Sequence, residues 1–175
     1  MAMTHQLTLS LGSNEGAKRN IANALDSLRA QFGELRVSSV YESEAVGFDG
    51  DNFLNLVVAV ETTLSLALVQ EFLKHLEVSQ GRDRGQVKFS SRPIDVDILT
   101  YEALEGPADG GAVAGAAAGI VLPRPEITEN AYVLLPLAEL LPEQIHAPSQ
   151  KSYAQLWAEY DQASQRLWPI PFDWA

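Results

Sequence analysis

Among the 175 residues there is no cysteine. That absence excludes disulfides, thiolate metal sites and cysteine nucleophiles, and it fits a cytoplasmic protein. No apolar run approaches the roughly 18 residues that a membrane-spanning helix needs, so no membrane partner is expected. The opening residues, Met1-Ala2-Met3-Thr4-His5, lack the charged and apolar regions of a secretory signal. Positive charge is scarce: 12 Lys and Arg stand against 23 Asp and Glu, a net charge of −11. Such a balance argues against a general binder of nucleic acid or of anionic membranes. The G-x-x-x-x-G-K-[ST] phosphate loop, the G-x-G-x-x-G dinucleotide fingerprint and the G-x-S-x-G nucleophile elbow are all missing. The three histidines, His5, His75 and His146, are scattered without metal-ligand spacing and are expected at the surface.

What remains is a chain with 46% hydrophobic residues, enough for one sizeable core. Leu7, Leu9 and Leu11 alternate with polar residues and predict a first strand, followed by a turn at Gly12-Ser13-Asn14-Glu15-Gly16. Ile21, Ala24, Leu25, Leu28 and Phe32 follow the spacing of an amphipathic helix that stops at Gly33. Residues 35–42 and the valine-rich 53–61 read as two further strands, joined by a loop carrying Gly47 and Gly50. Leu66, Val69, Leu73 and Leu76 mark a second helix starting after Ser65. Another strand reaches about Tyr101, and the Gly- and Ala-rich residues 105–119 read as a flexible surface insertion. A short helical segment opens at 122–126, residues 133–137 belong to the core, 152–165 form a last helix and 166–175 a tail. The order β-α-β-β-α-β predicts an α+β, ferredoxin-like core: a four-stranded antiparallel sheet with two helices on one face, plus C-terminal helical additions. Residues 1–175 are expected to form a single domain.

The most telling run is Lys88-Phe89-Ser90-Ser91-Arg92-Pro93-Ile94-Asp95-Val96-Asp97-Ile98-Leu99. In a strand, Asp95 and Asp97 share one face, about 6.5–7 Å apart at Cα. Two unpartnered carboxylates about 5 Å apart repel by about 3 kcal/mol at an effective dielectric near 20. A divalent cation removes that repulsion, and hard oxygen ligands suit Mg²⁺, which shares its shell with water and substrate phosphates. Just upstream, Arg82, Arg84, Lys88 and Arg92 supply four of the twelve basic residues. An acidic protein with one basic stretch suggests a local polyanion site such as a nucleoside triphosphate. A solvated acidic strand face beside a solvated basic loop is the plain alternative.

The run from Arg92 to Leu99 closely resembles the signature of the 6-hydroxymethyl-7,8-dihydropterin pyrophosphokinase family of folate synthesis. Further matches follow in that family's order: Leu11-Gly12-Ser13-Asn14, Val37-Ser38-Ser39-Val40-Tyr41, Phe53-Leu54-Asn55, Glu77 with Gly81-Arg82-Asp83-Arg84, and Leu122-Pro123 before Tyr132-Val133-Leu134-Leu135-Pro136-Leu137. The resemblance spans about residues 6–148. It implies transfer of pyrophosphate from ATP to the hydroxymethyl oxygen of the reduced pterin, with release of AMP. It implies Asp95 and Asp97 as ligands of two Mg²⁺ ions, and Arg82 and Arg92 as catalytic cations. Lys74, Glu77, Arg84, Lys88, Phe89, Ile98 and Arg124 would bind ATP. Ser43, Glu44, Val46, Phe53, Asn55 and Tyr132 would bind the pterin, with Phe53 and Tyr132 stacking on its ring. The chain departs from the family pattern at Ser90 (usually glycine), Glu44 (a common proline), Arg124 (usually histidine), Asn130 (often arginine) and Lys74 (a familiar glutamine). A paralogue that binds nucleotide or pterin without turnover is the second reading, and a ferredoxin-like regulatory module the third.

Overall fold

Three β1 leucines set the frame. Leu7, Leu9 and Leu11 of β1 (His5–Ser13) are fully buried on one face of a sheet. The structure, a computed structural model, describes residues 3–44, 51–80, 93–105 and 108–174. After β1 come α1 (Ala17–Phe32), β2 (Arg36–Val37), β3 (Val40–Ser43), β4 (Phe53–Thr62), α2 (Leu66–Ser79) and β5 (Asp95–Ala103). The chain continues through α3 (Ala112–Ala118), α4 (Glu126–Glu129) and α5 (Ala131–Leu140). It ends with β6 (Ile145–His146), β7 (Lys151–Ser152), α6 (Tyr153–Glu159) and β8 (Leu167–Ile170). Both long helices carry the punctuation expected of them. Ser65 Oγ accepts the Leu68 N–H at 3.3 Å and starts α2. The N–H of Gly33, with φ at 84°, donates to Arg29 O and ends α1.

The main sheet runs β5-β1-β4-β3-β8, with β2 also pairing with β4, and every pairing is antiparallel. The first four positions, β5-β1-β4-β3, have the order and helix placement of the βαββαβ core. The first core packs Ile21, Leu25 and Leu28 of α1 and Val69, Leu73 and Leu76 of α2 under β1, β4 and β5. Burying each such leucine contributes on the order of 1.5–3 kcal/mol. A second core lies on the other face. There Val57 and Leu99 meet Ile127 of α4, Val133, Leu134 and Leu137 of α5, and Tyr153 of α6. The molecule is therefore helix, sheet, helix. Among the described residues no helix is long and apolar enough to cross a membrane.

The sheet exceeds the four strands expected, for two reasons. The strand predicted over 35–42 is split, because Ser38 exchanges hydrogen bonds with Val57 through its own N–H and its Oγ, while Ser39 turns to Glu139 of α5. Residues 167–170, expected in a tail, pair with β3 and cover an edge that would otherwise be open. Beyond them Trp174 donates to Asp26 on α1 at 2.9 Å and lies under the Arg29 guanidinium. The Gly/Ala stretch also differs from expectation: it contains α3, seven residues long. Alanine is the best helix former, and Asp109 accepts the N–H groups of Gly111 and Val113 at its start. Gly111 has φ of 96° and lies so near β5 that a Cβ would stand 2.7 Å from Tyr101 O. The last helix stops at Glu159 rather than 165. His146 is buried, not exposed, with Nδ1 2.8 Å from Ser149 Oγ.

Candidate active site

A bulge decides which way the acids face. Thr8 pairs with Thr100, but Leu9 pairs with Ile98, so Leu99 is the extra residue on β5. Before the bulge, Val96 and Ile98 face the first core; Leu99 faces the second, and Tyr101 returns to the first. Asp95 and Asp97 therefore project from the α5 side of the sheet, both half-buried. The register extends this face. Gly12 pairs with Asp95 on one side and Asn55 on the other, and Asn55 pairs in turn with Tyr41. Phe53 and Asn55 share the face of Val57, which packs in the second core with α5. Ser43 pairs with Phe53 at the same end of the sheet.

Asn55 is 8% exposed, and its Nδ2 donates to Leu11 O at 3.5 Å. A Cβ on Gly12 would come within 2.6 Å of that Nδ2. The glycine thus lets the amide lie across β1, on the strand next to Asp95. The two residues after Gly12 are polar and buried. Ser13 Oγ donates to Pro93 O at the entry to β5, and Asn14 Nδ2 donates to Asp51 O at 3.1 Å, just ahead of β4. On the α5 side, Tyr41 donates to Glu139 at 2.5 Å, which ties α5 to β3.

Above the acids stands Tyr132. Its hydroxyl is pushed above the usual tyrosine range by burial first, then by the negative charges of Asp97, Glu126, Asp95 and Tyr160. It is thus a neutral phenol beside a strongly negative patch. Pro136 has no N–H to give the Tyr132 carbonyl one helical turn back. Arg124 joins the patch from the chain just before α4. Its N–H donates to Leu99 O, its Nη2 lies 3.4 Å from Asp97 Oδ1, and its Nε lies 2.5 Å from Glu126 Oε2.

The structure thus brings Asp95, Asp97, Arg124 and Tyr132 together and places Asn55, Phe53 and Ser43 on the same face. Of the other expected residues, the structure describes Ile98, Glu77, Lys74 and Glu44. The Ile98 side chain faces the first core, 5% exposed, and the sheet separates it from the acids. Glu77 is 7% exposed, and its Oε2 accepts the Val96 N–H at 2.9 Å, pinning β5 to α2. Lys74 and Glu44 are exposed. Arg82, Arg84, Lys88, Phe89, Arg92 and Val46 lie outside the described residues. Sequence reasoning gives Gly12 and Ser13 only a turn and a family match, with no role in the site, and gives Glu126 no role. A glycine ending a strand pattern signals a close approach. A Glu two residues after Arg124 carried no such signal.

Among the described residues no three His, Cys, Asp or Glu converge as a complete metal cage. Two carboxylates on one strand face fit a hard cation that keeps water and shares substrate oxygens, as Mg²⁺ does. Fold and face together define an α+β protein with an acidic pair at one edge of a ferredoxin-like sheet and an aromatic-and-amide surface beside it. The family described as 7,8-dihydro-6-hydroxymethylpterin-pyrophosphokinase (HPPK) matches residues 8–142. The 2-amino-4-hydroxy-6-hydroxymethyldihydropteridine pyrophosphokinase of Bacillus subtilis (strain 168) is 30% identical over 91% of this chain and 88% of its own length. The protein of the same description from Methylorubrum extorquens is 37% identical over 77% of this chain and 82% of its own. Among solved structures, wild-type Plasmodium falciparum HPPK-DHPS superposes with a TM-score of 0.60 at 14% identity, over 89% of this chain and 44% of that one. An HPPK-DHPS in complex with substrates gives a TM-score of 0.64 at 13% identity, over 89% and 43%. The chain spans less than half of those solved chains, and they speak for the fold alone. The chain belongs to the 7,8-dihydro-6-hydroxymethylpterin-pyrophosphokinase family.

Proposed function

We propose that this chain transfers the pyrophosphoryl group of ATP to the hydroxymethyl oxygen of 6-hydroxymethyl-7,8-dihydropterin, giving AMP and the pterin diphosphate of folate synthesis. One observation carries the reading: Asp95 and Asn55 flank the same side-chain-free residue, Gly12, so an acidic phosphate-handling edge adjoins a heterocycle-reading face. The family relationship supports it.

The hydroxymethyl oxygen attacks the β-phosphorus. The bond from that phosphorus to the oxygen bridging to the α-phosphorus breaks, AMP departs with the bridging oxygen, and the hydroxyl proton is released. Phosphoryl chemistry asks the protein for position and charge neutralisation above all. Asp95 and Asp97 are the residues that would hold Mg²⁺, two ions in this reading. Bound there, Mg²⁺ would neutralise phosphate charge and make the attacking hydroxyl more acidic. Asn55 reads the hydrogen-bonding edge of the pterin, and Phe53 and Tyr132 offer ring faces for stacking, which contributes about 0.5–1.5 kcal/mol beyond area burial. The further proposed pterin contacts are Ser43, which ends β3, together with Glu44 and Val46. Arg82 and Arg92 are the proposed catalytic cations, and Lys74, Glu77, Arg84, Lys88, Phe89 and Arg124 the proposed ATP contacts. Any contribution from Ile98 would come from its backbone. Alternation along β5, with the Val96 N–H turned outward to Glu77, aims the Ile98 N–H and C=O at the open side of the strand. An adenine edge needs one donor and one acceptor of that kind.

The test is direct: incubate the chain with MgATP and reduced hydroxymethylpterin and separate the nucleotides. AMP that requires both substrates is expected. Binding without AMP would replace this reading with a non-catalytic pterin or nucleotide binder, and no Mg²⁺-dependent ATP binding would leave only a regulatory module.

A further inference from the structure

We infer that Arg124 is an exchangeable counter-ion, resting on Asp97 until a divalent cation takes that carboxylate, with Glu126 as the anchor that keeps the displaced guanidinium in the site. The inference rests on the assignment of Asp97 as a metal-holding residue and adds a regulator to it.

The geometry is that of a shared cation. One end of the guanidinium, Nη2, lies 3.4 Å from Asp97 Oδ1, while Nε lies 2.5 Å from Glu126 Oε2. The backbone cannot follow the side chain, because the Arg124 N–H is bonded to Leu99 O at 2.9 Å, two residues along β5 from Asp97. Arg124 is one-third exposed, and the Asp97 and Glu126 side chains are 45% and 38% exposed, so water can replace either contact without a buried charge being stranded. The two contacts are unequal. The longer one, to Asp97, is the one to yield; the shorter, to Glu126, is the one to hold.

A guanidinium and a divalent cation cannot share Asp97 without repulsion. Metal entering alone must displace Arg124. Metal entering with a triphosphate brings the displaced guanidinium an anion, and arginine's planar fork suits phosphate oxygens. Arg124 therefore opposes metal binding in the absence of nucleotide and favours it in its presence. The result is a site that fills with metal and nucleotide together.

Mn²⁺ is the probe, titrated by electron paramagnetic resonance into the nucleotide-free chain and again beside a non-hydrolysable ATP analogue. Arg124→Gln is expected to bind Mn²⁺ alone several-fold tighter than the unaltered chain, and the analogue more weakly. Glu126→Gln, which leaves the guanidinium to Asp97, is expected to bind Mn²⁺ alone more weakly. A pair of opposite shifts is not what a merely structural role produces. If Arg124→Gln leaves Mn²⁺ affinity unchanged or lowers it, the counter-ion role is overturned. Asp97→Asn separates the two assignments: Mn²⁺ binding indifferent to Asp97→Asn would overturn the metal assignment itself, and this inference with it.

Discussion

Asp95 and Asn55 stand on either side of Gly12, each paired with it across the sheet. The spacing makes a missing side chain part of the site. A methyl at Gly12 would meet Asn55 Nδ2 at 2.6 Å, and the amide, the free end of a short side chain, is what would yield. Gly12→Ala is therefore expected to spare the fold and displace Asn55. Equilibrium binding should show pterin affinity lowered by about tenfold, the equivalent of one lost hydrogen bond. Nucleotide affinity and the melting temperature should change little.

Asp95→Ala and Asp97→Ala are each expected to lower the rate of AMP formation by on the order of 10²–10³ or more, the scale of removing one preorganised electrostatic group. Both side chains are half-buried on the sheet surface and outside either core, so circular dichroism should report an unaltered fold. Near-normal turnover in either variant would contradict the metal assignment.

Much of this site could be read from residue order because its parts are local. The Asp95/Asp97 pair needs only strand alternation, and the α2 start at Ser65 and the α1 stop at Gly33 are capping chemistry. What escaped reading depends on distant partners. The Leu99 bulge shows only once β5 is paired with β1, yet it lets one strand hold both acids on one face and still seat Tyr101 in the first core. Ser38 and Ser39 look like strand residues until Val57 and Glu139 engage them. The Gly/Ala stretch has a flexible composition, but Asp109 and the approach of Gly111 to Tyr101 turn part of it into α3. The Ile98 side chain is held in the first core, because alternation sends neighbours to opposite faces, which leaves its backbone for the proposed nucleotide contact.

Glu77 offers a test of structure apart from chemistry. Its carboxylate accepts an N–H on the outer side of edge strand β5, between the two acids. Glu77→Ala leaves that buried donor without its acceptor and is expected to destabilise the chain by about 1–3 kcal/mol. Glu77→Gln retains an acceptor oxygen and should lose much less. Urea unfolding of the two variants measures the difference. Equal losses would mean that helix packing, not the Val96 contact, is what Glu77 supplies.

Glu102 makes stability depend on pH in a direction opposite to most carboxylates. Its carboxyl is raised above the ordinary 4.5, chiefly by burial and to a lesser degree by the charge of Asp109, although the Gly110 N–H partly offsets the shift. An acid whose native value lies above its unfolded value binds more protons when folded. Its contribution is therefore present in full below the unfolded value and is lost as pH rises through the native one. Glu102→Gln removes that titration and keeps an oxygen for the Gly110 N–H, while Gln144, which donates to Glu102 at 3.3 Å, can turn its amide to match. Urea midpoints measured from pH 4 upward should show the variant gaining on the unaltered chain as pH climbs above about 4.5. A difference that stayed flat across that range would place the titration elsewhere.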